Sequence, residues 1–398
     1  MIRALEALRA LEDDCGFGVV DRLYTAHIAY GTLLEQRGRR DEAIQAYFAA
    51  LQVDPQGADA VRRLTLLQAF TPLPPPACDP QLALDIPPYV PSNGAFVETS
   101  DTGLSLAELP YPVYGINYYP RDYPNARFLM ETNVASLAFE MEILRAAGIN
   151  TLRVFIRHEA LFTCQDVPDA AALARLDAFI QLAGAWGLRL ILVLNDAADI
   201  GVYSGQTLPQ MAFIAARYSA EPVVLAYDLR AGGDADYGSG ALTRTQVLAW
   251  LAEAARIVRE AAPDQLLTAS WDDDSAVTAP LVDFVSFQHE GEVEALRQEI
   301  AILKAATGKP ILLAHIGYNT FDRDELGQRL AYQRALEAVA QNDLVGWVIT
   351  TAFDYPPLLL CNDPANCPER SPENTAGLWT NSYFPKLALE AVRQATDS

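Results

Sequence analysis

Lysine is almost missing from this chain. Its 398 residues hold three, Lys304, Lys309 and Lys386, against a formal net charge of −22. Nucleic acids and anionic membrane surfaces are held by clustered Lys and Arg, and no basic run occurs, so neither is expected as a partner. Long apolar runs are also lacking: no stretch approaches the ~20 residues that a membrane helix needs. The opening Met1-Ile2-Arg3-Ala4-Leu5-Glu6 reads as a charged amphipathic helix, not a signal-peptide core, and a cytoplasmic protein is the expectation. Cysteines number five, an odd count whose spacing matches no zinc pattern. Cys361 and Cys367 bracket a loop and read as two free thiols, with pairing under oxidising conditions as the alternative. No glycine-rich phosphate loop follows the first strand, and no cofactor is expected.

What the chain does hold is enough apolar residue, 51%, for a sizeable core and two domains of unequal size. Residues 1–70 read as helices. Gly31, Leu34, Ala43, Tyr47, Ala50 and Pro55 fall at the spacing of one tetratricopeptide repeat over 24–57, with Gln36-Arg37-Gly38 as its turn. Small residues let two helices approach, and Tyr47 fills the gap between them. One repeat cannot bury its own faces, so the flanking helices are expected to cover it. The unit reads as a cap on the larger domain, with a protein partner in its groove as the functional alternative. Residues 71–94 are rich in proline and read as a semi-rigid linker, and 96–106 as a β-hairpin.

From residue 113 onward strands and helices alternate. Strands are expected at 113–119, 151–156, 188–194, 223–229, 266–270, 282–287, 310–314 and 345–351, with amphipathic helices between them. Eight such units predict an α/β fold, a (β/α)8 TIM barrel over 95–398 behind a small all-α helical-repeat domain.

Several segments carry a family likeness. They are Gly115-Ile116-Asn117-Tyr118-Tyr119-Pro120, Ala147 to Val154 with Arg153, Ala226-Tyr227-Asp228-Leu229, Asp283 to Phe287, Lys309-Pro310-Ile311-Leu312-Leu313, and Gly377-Leu378-Trp379 with Pro385-Lys386. In order and spacing, over roughly 95–396, they resemble cellulase-like glycoside hydrolases of clan A, family five and its relatives. The resemblance implies a retaining pair of carboxylates about 5–5.5 Å apart at the barrel mouth. Here the positions that match the family's Asn-Glu pair are Ala231 and Gly232, and the nucleophile position is His315. Gln288-His289-Glu290 stands where a His and then a Tyr are usual, and Thr350-Thr351 where an aromatic platform is usual.

Four departures on one face predict the loss of ordinary glycosidase chemistry, because removing the nucleophile ends the covalent route. The expected role is a pseudo-enzyme that binds a carbohydrate, or a protein partner, at the old active-site face. The alternative is hydrolysis by relocated carboxylates, Asp234 and Glu290. Candidate ligand-facing residues are Arg153, Tyr118, Asn195, Trp271, His289, His315 and Tyr318, with Tyr119, Tyr123, Tyr203 and Tyr355 as further aromatics near the same mouth. Asp272-Asp273-Asp274 reads as a capping run. A metal held by the histidines together with Asp234, Glu290 or Asp272 is outweighed by solvated polar loops, and no metal is expected.

Overall fold

Residues 19–37, 39–54, 57–67, 86–100, 103–164, 167–196, 198–238, 240, 242–360 and 367–397 are described by the computed structural model. Three helices come first: α1 (Val19–Gln36), α2 (Arg40–Val53) and α3 (Ala58–Leu66). The turn between α1 and α2 closes through Leu34, whose carbonyl accepts from the Arg37 and Arg39 amides. Gly31 is the contact point. A Cβ there would lie 2.4 Å from Tyr47 Cε1, so glycine admits the ring, and Tyr47 is fully buried with Leu34, Ala43 and Ala50 around it. The Gly38 and Pro55 positions of the repeat spacing, residues 1–18 and 68–70 of the helical segment and residues 71–85 of the linker lie outside the described residues.

The chain next makes a three-stranded antiparallel sheet, β1 (Val97–Ser100), β2 (Gly103–Leu106) and β3 (Leu109–Pro110). Val97 and Leu104 pack against Val113, Ile191, Phe284 and Leu312, so this sheet plugs the N-terminal end of the barrel. The barrel strands are β4 (Val113–Asn117), β5 (Thr151–Phe155), β8 (Arg189–Val193), β9 (Val224–Asp228), β12 (Val285–His289), β13 (Ile311–Ile316) and β14 (Gly346–Ile349). An eighth strand is divided at Ala269 into β10 (Leu266–Thr268), which pairs with β9, and β11 (Ser270–Trp271), which pairs with β12. β14 pairs with β4, and every barrel pairing is parallel. The ring of eight is the expected TIM barrel. A small hairpin, β6 (Phe162–Cys164) and β7 (Val167–Pro168), interrupts the second crossover.

Helices return the chain outside: α4 (Ala138–Ala146), α5 (Ala170–Ala185), α6 (Ile200–Arg217), α7 (Arg244–Ala261), α8 (Val293–Ala306), α9 (Glu325–Gln341) and α10 (Ala388–Thr396). Their starts are chemically marked. Asp169, Asp199 and Asp324 each accept first-turn amides, and Thr243 and Gln246 make a capping box. Gly148 and Gly187, at φ +87° and +69°, close the turns after α4 and α5, where a side chain would be strained. On the barrel flank, buried Glu221 accepts from Tyr89 Oη (2.7 Å) and the Ser92 amide (2.8 Å), tying residues 86–92 to the wall. Helix α3 packs on α6, and Arg62 Nη1 lies 3.1 Å from Asp199 Oδ2, so the helical unit rests beside the loop after the third strand. Among the described residues no helix is long and apolar enough to cross a membrane.

Removing the Tyr47 ring should cost the helical unit about 3–5 kcal/mol, the range for a buried aromatic. Hydrogen exchange of Tyr47→Ala should show faster amides in α1 and α2 with barrel strands unchanged. Unchanged protection in α1 and α2 would discard this packing account.

Candidate functional site

Active sites of such barrels lie at the C-terminal ends of the strands, and there the interior changes from apolar to polar. Arg153 of β5 is fully buried. Its Nε and Nη2 donate to Asp228 Oδ2 at 3.0 and 2.8 Å, its Nη1 to Asn117 Oδ1 at 2.8 Å, and Nη2 also to Ser270 Oγ at 2.6 Å. Ser270 Oγ donates to Asp228 Oδ2 at 2.5 Å. Asn117 Nδ2 donates onward to the Ala314 carbonyl and to Thr350 Oγ1. One charge-balanced network therefore joins six of the eight strands below the mouth, and Arg153 holds the floor of the site without lining it.

Above this floor lies a cavity of 420 Å³ lined by Asn117, Tyr119, Phe155, His315, Thr350 and Tyr355 among others. Tyr119 and Phe155 stack at 5.4 Å, and the Arg153 guanidinium lies 4.8 Å below the Phe155 ring. His315 Nδ1 is 3.1 Å from Thr350 Oγ1, and Nε2 is 3.9 Å from Glu290 Oε1. Burial, with Arg153 and His289 nearby, pushes the His315 imidazole down to about 4, so the ring is neutral at pH 7. Glu290 itself is 89% exposed. Behind Tyr119, Arg157 faces Asp196 at 3.5 Å, and burial raises the Asp196 carboxyl.

The fourth-strand turn is rebuilt around glycine. Gly232 has φ +62°, and a Cβ on Gly233 would lie 2.4 Å from Trp271 Nε1. Trp271 is fully buried beneath this turn, edge-on to Tyr237, and so supports the loop and does not face the mouth. Asp234 is buried and its two oxygens accept the amides of Asp272, Asp273 and Asp274 at 3.1, 2.6 and 3.0 Å. Its carboxylate clamps the next loop. Asp274 pairs with Tyr237 Oη and Arg244, leaving Asp272 and Asp273 exposed.

Other sequence candidates scatter. Tyr118 turns outward, fully buried, its hydroxyl on Glu140 Oε2 and its ring on Phe179, so Tyr119 takes the mouth-lining place. His289 is buried with Nδ1 2.8 Å from Glu299 Oε2 of α8, which leaves Gln288 facing inward. Tyr318 is buried against Tyr332, and its hydroxyl has no hydrogen-bond partner. Asn195 is fully buried, its Oδ1 accepting from Arg230 and its Nδ2 unpartnered. Phe155, like Asn125, Leu360, Glu373 and Ala376, is a mouth residue that sequence reading did not single out; it lies two residues beyond Arg153 on one strand, hence on the same face. Cys367 Sγ donates to the Pro357 carbonyl at 3.1 Å, and Cys361 lies outside the described residues. Among the described residues no group of three or more His, Cys, Asp or Glu is set to hold a metal.

No family model matches the sequence, and no curated protein does. Solved structures do match the fold. A GH5_18 protein from Streptomyces cattleya, in complex with GlcNAc, is similar at 17% identity and TM-score 0.59, over 72% of this chain and 80% of that one. An exo-beta-1,4-mannosidase from Opitutaceae bacterium strain TAV5 is similar at 17% identity and TM-score 0.63, over 77% of this chain and 62% of that one. An endo-1,4-beta-mannanase from Rhizomucor miehei gives 16% identity and TM-score 0.57, over 76% of this chain and 99% of that one. The chain thus shares the (β/α)8 barrel fold of these structures, and a small helical segment precedes it.

Breaking one partner of the buried Arg153–Asp228 pair leaves the other charge uncompensated, at about 3–5 kcal/mol. Asp228→Ala should lower the unfolding free energy, read from denaturant titration, by that much; a loss under about 1 kcal/mol would contradict a load on this network. The depressed His315 has a second consequence. Between pH 6.5 and 4 the unfolded chain binds a proton at this histidine that the folded one refuses, so its contribution to stability falls as pH falls through that window. Subtracting a His315→Gln variant's stability-versus-pH curve from the parent's should isolate that slope. NMR of the ring should show a midpoint near 4.

Proposed function

We propose that the protein binds a neutral saccharide in the barrel mouth, and that the double-displacement route of retaining glycosidases is closed to it. The observation that carries this is the aromatic-walled cavity of 420 Å³, with Tyr119, Phe155 and Tyr355 as walls over a floor of uncharged His315 and Asn117. Rings of this kind stack on the apolar faces of sugars, while amide, hydroxyl and imidazole groups take hydroxyl hydrogen bonds. At the two positions where the family resemblance puts its carboxylates stand Gly232 and His315. Gly232 carries no acid, and the neutral imidazole of His315 is not the carboxylate the double-displacement route requires. For that route the barrel is a pseudo-enzyme.

The helical unit, read as a tetratricopeptide-like cap, is proposed to serve as a second contact surface for a protein partner, and the cell compartment proposed is the cytoplasm. Hydrolysis by relocated carboxylates is the second reading. With Asp234 occupied by three backbone amides, it needs a different acid beside Glu290.

Calorimetric titration with neutral gluco- and manno-configured oligosaccharides should detect binding. Tyr119→Ala and Tyr355→Ala should each weaken it by about tenfold, the loss of ~1.4 kcal/mol of stacking. Mass spectrometry after exposure to activated 2-fluoro glycosides should show no glycosyl-enzyme. Failure of every saccharide to bind at millimolar concentration would remove the reading, and a trapped covalent adduct would reopen the retaining route.

A further inference from the structure

The space that a side chain at Gly232 would enter is bordered by another carboxylate. A Cβ there would stand 3.7 Å from Asp272 Oδ2 and 3.8 Å from Gln288 Nε2. Gln288 Nε2 donates to Asp272 Oδ1 at 3.0 Å and to the Ser270 carbonyl at 3.2 Å, which orients the carboxyl and leaves Oδ2 beside the vacated position. Two strands further round, the 3.9 Å between His315 Nε2 and Glu290 Oε1 is too long for a hydrogen bond. It suits one water about 2.8 Å from each.

Asp272, Gln288 and Glu290 line a cavity of 690 Å³, and His315 lines the aromatic one. Gln288 and His315 are register partners on neighbouring strands, so the two cavities adjoin there. Trp271 is in register with Phe287, which puts Asp272 beside Gln288 and two residues from Glu290 along the next strand. Asp272 Oδ2 thus borders position 232 and Glu290 Oε1 borders His315, so a carboxylate stands beside each of the two positions where the family resemblance puts one. Inverting enzymes set acid and base on opposite sides of the scissile bond, with room between them for a water.

We propose that Asp272 and Glu290 form a relocated acid–base pair that hydrolyses glycosidic bonds with inversion at the anomeric carbon. The inference rests on saccharide entering the mouth. In the step, the Asp272 carboxyl proton passes to the glycosidic oxygen as its bond to the anomeric carbon breaks. The water between Glu290 and His315 attacks that carbon from the opposite face, forming the new C–O bond. Its proton goes to the Glu290 carboxylate, and exchange with solvent resets both groups.

The surroundings suit these roles. Partial desolvation at the cavity wall, then the charges of Asp234 from the turn after the fourth strand, Glu290 from the sixth-strand loop, Asp273 from its own loop and Glu299 from α8, push the Asp272 carboxyl up to about 6. It therefore carries its proton in weakly acidic solution, where an ordinary aspartic acid has lost it. Neutral His315 adds no positive charge against the oxocarbenium-like transition state.

The test follows anomer release by NMR from β-linked gluco- and manno-oligosaccharides and from 2,4-dinitrophenyl β-glycosides, with calorimetric binding measured on the same proteins. The parent protein should release the inverted anomer first, with turnover falling above about pH 6 as Asp272 ionises. Asp272→Asn should lower oligosaccharide turnover by about 10²–10⁴-fold, yet lower the dinitrophenyl substrate, whose leaving group needs no proton, by under about tenfold. A merely structural role would depress both alike. Azide should rescue Glu290→Gln on the activated substrate and yield a glycosyl azide of inverted configuration. Saccharide binding without turnover, or release with retention, overturns this proposal alone; absence of saccharide binding removes it together with the binding reading.

Discussion

The buried guanidinium of Arg153 is the constraint on which the mouth depends. Placed in a barrel interior without partners, that charge would cost far more than any single contact returns. It is tolerated because Asn117 from the adjacent strand and Asp228 and Ser270 from across the barrel meet it, and Asn117 carries the link to Ala314 and Thr350. Each partner is useful only if its strand ends at the right height. The network therefore fixes the stagger of the strand ends, and with it the positions of Tyr119, Phe155 and His315. This explains how the mouth can hold its shape whatever residues stand at its rim. The floor is held from below, independently of any carboxylate at positions 232 or 315.

The rebuilt turn after the fourth strand shows that the change is not one missing side chain. A residue other than glycine at 232 meets the strain of φ +62°, although its Cβ would make only ordinary contacts with Asp272 and Gln288, and at 233 it meets the Trp271 indole. Asp234 then pins the Asp272–Asp274 loop through three amides. Glycine, tryptophan and aspartate support one another, so restoring an acid at 232 would disturb the loop that carries Asp272. In this arrangement the carboxylate that borders position 232 is Asp272, from the loop after the next strand.

The barrel was legible in the sequence because its cause is periodic: apolar strands and one-sided helices recur, and the eight barrel strands fall at the segments read as strands. The floor was partly legible too, since Arg153 and Asp228 lie in segments that resemble a known family. The mouth was less so, because orientation there turns on single residues. Tyr118 and Tyr119 are both plausible, and strand alternation chooses Tyr119. A register irregularity between Phe287 and Gln288 precedes the point where Gln288 faces inward and His289 meets α8. Asp234 looked like a free acid because sequence does not show which distant amides fold back on a carboxylate. Asp272 looked like a cap, yet Asp274 supplies no side-chain cap to the short helix that follows, and Asp272 is left at the cavity.

Charge pairing also narrows what the mouth can receive. Arg153 is committed to Asp228, Arg157 to Asp196, Arg230 to Asp236 and Arg244 to Asp274. Asp272, Asp273, Glu290 and Glu373 have no cation paired with them in the salt-bridge geometry of the described residues, and they stand on or beside the two cavities. A uronic acid or sulfated sugar would bring negative charge towards these carboxylates in a chain that already carries −22. Neutral polyols face no such penalty, and their hydroxyls can donate to the carboxylates while their ring faces lie on Tyr119, Phe155 and Tyr355. Stacking surface and acceptor-rich rim thus select for the same ligand chemistry from two independent physical directions.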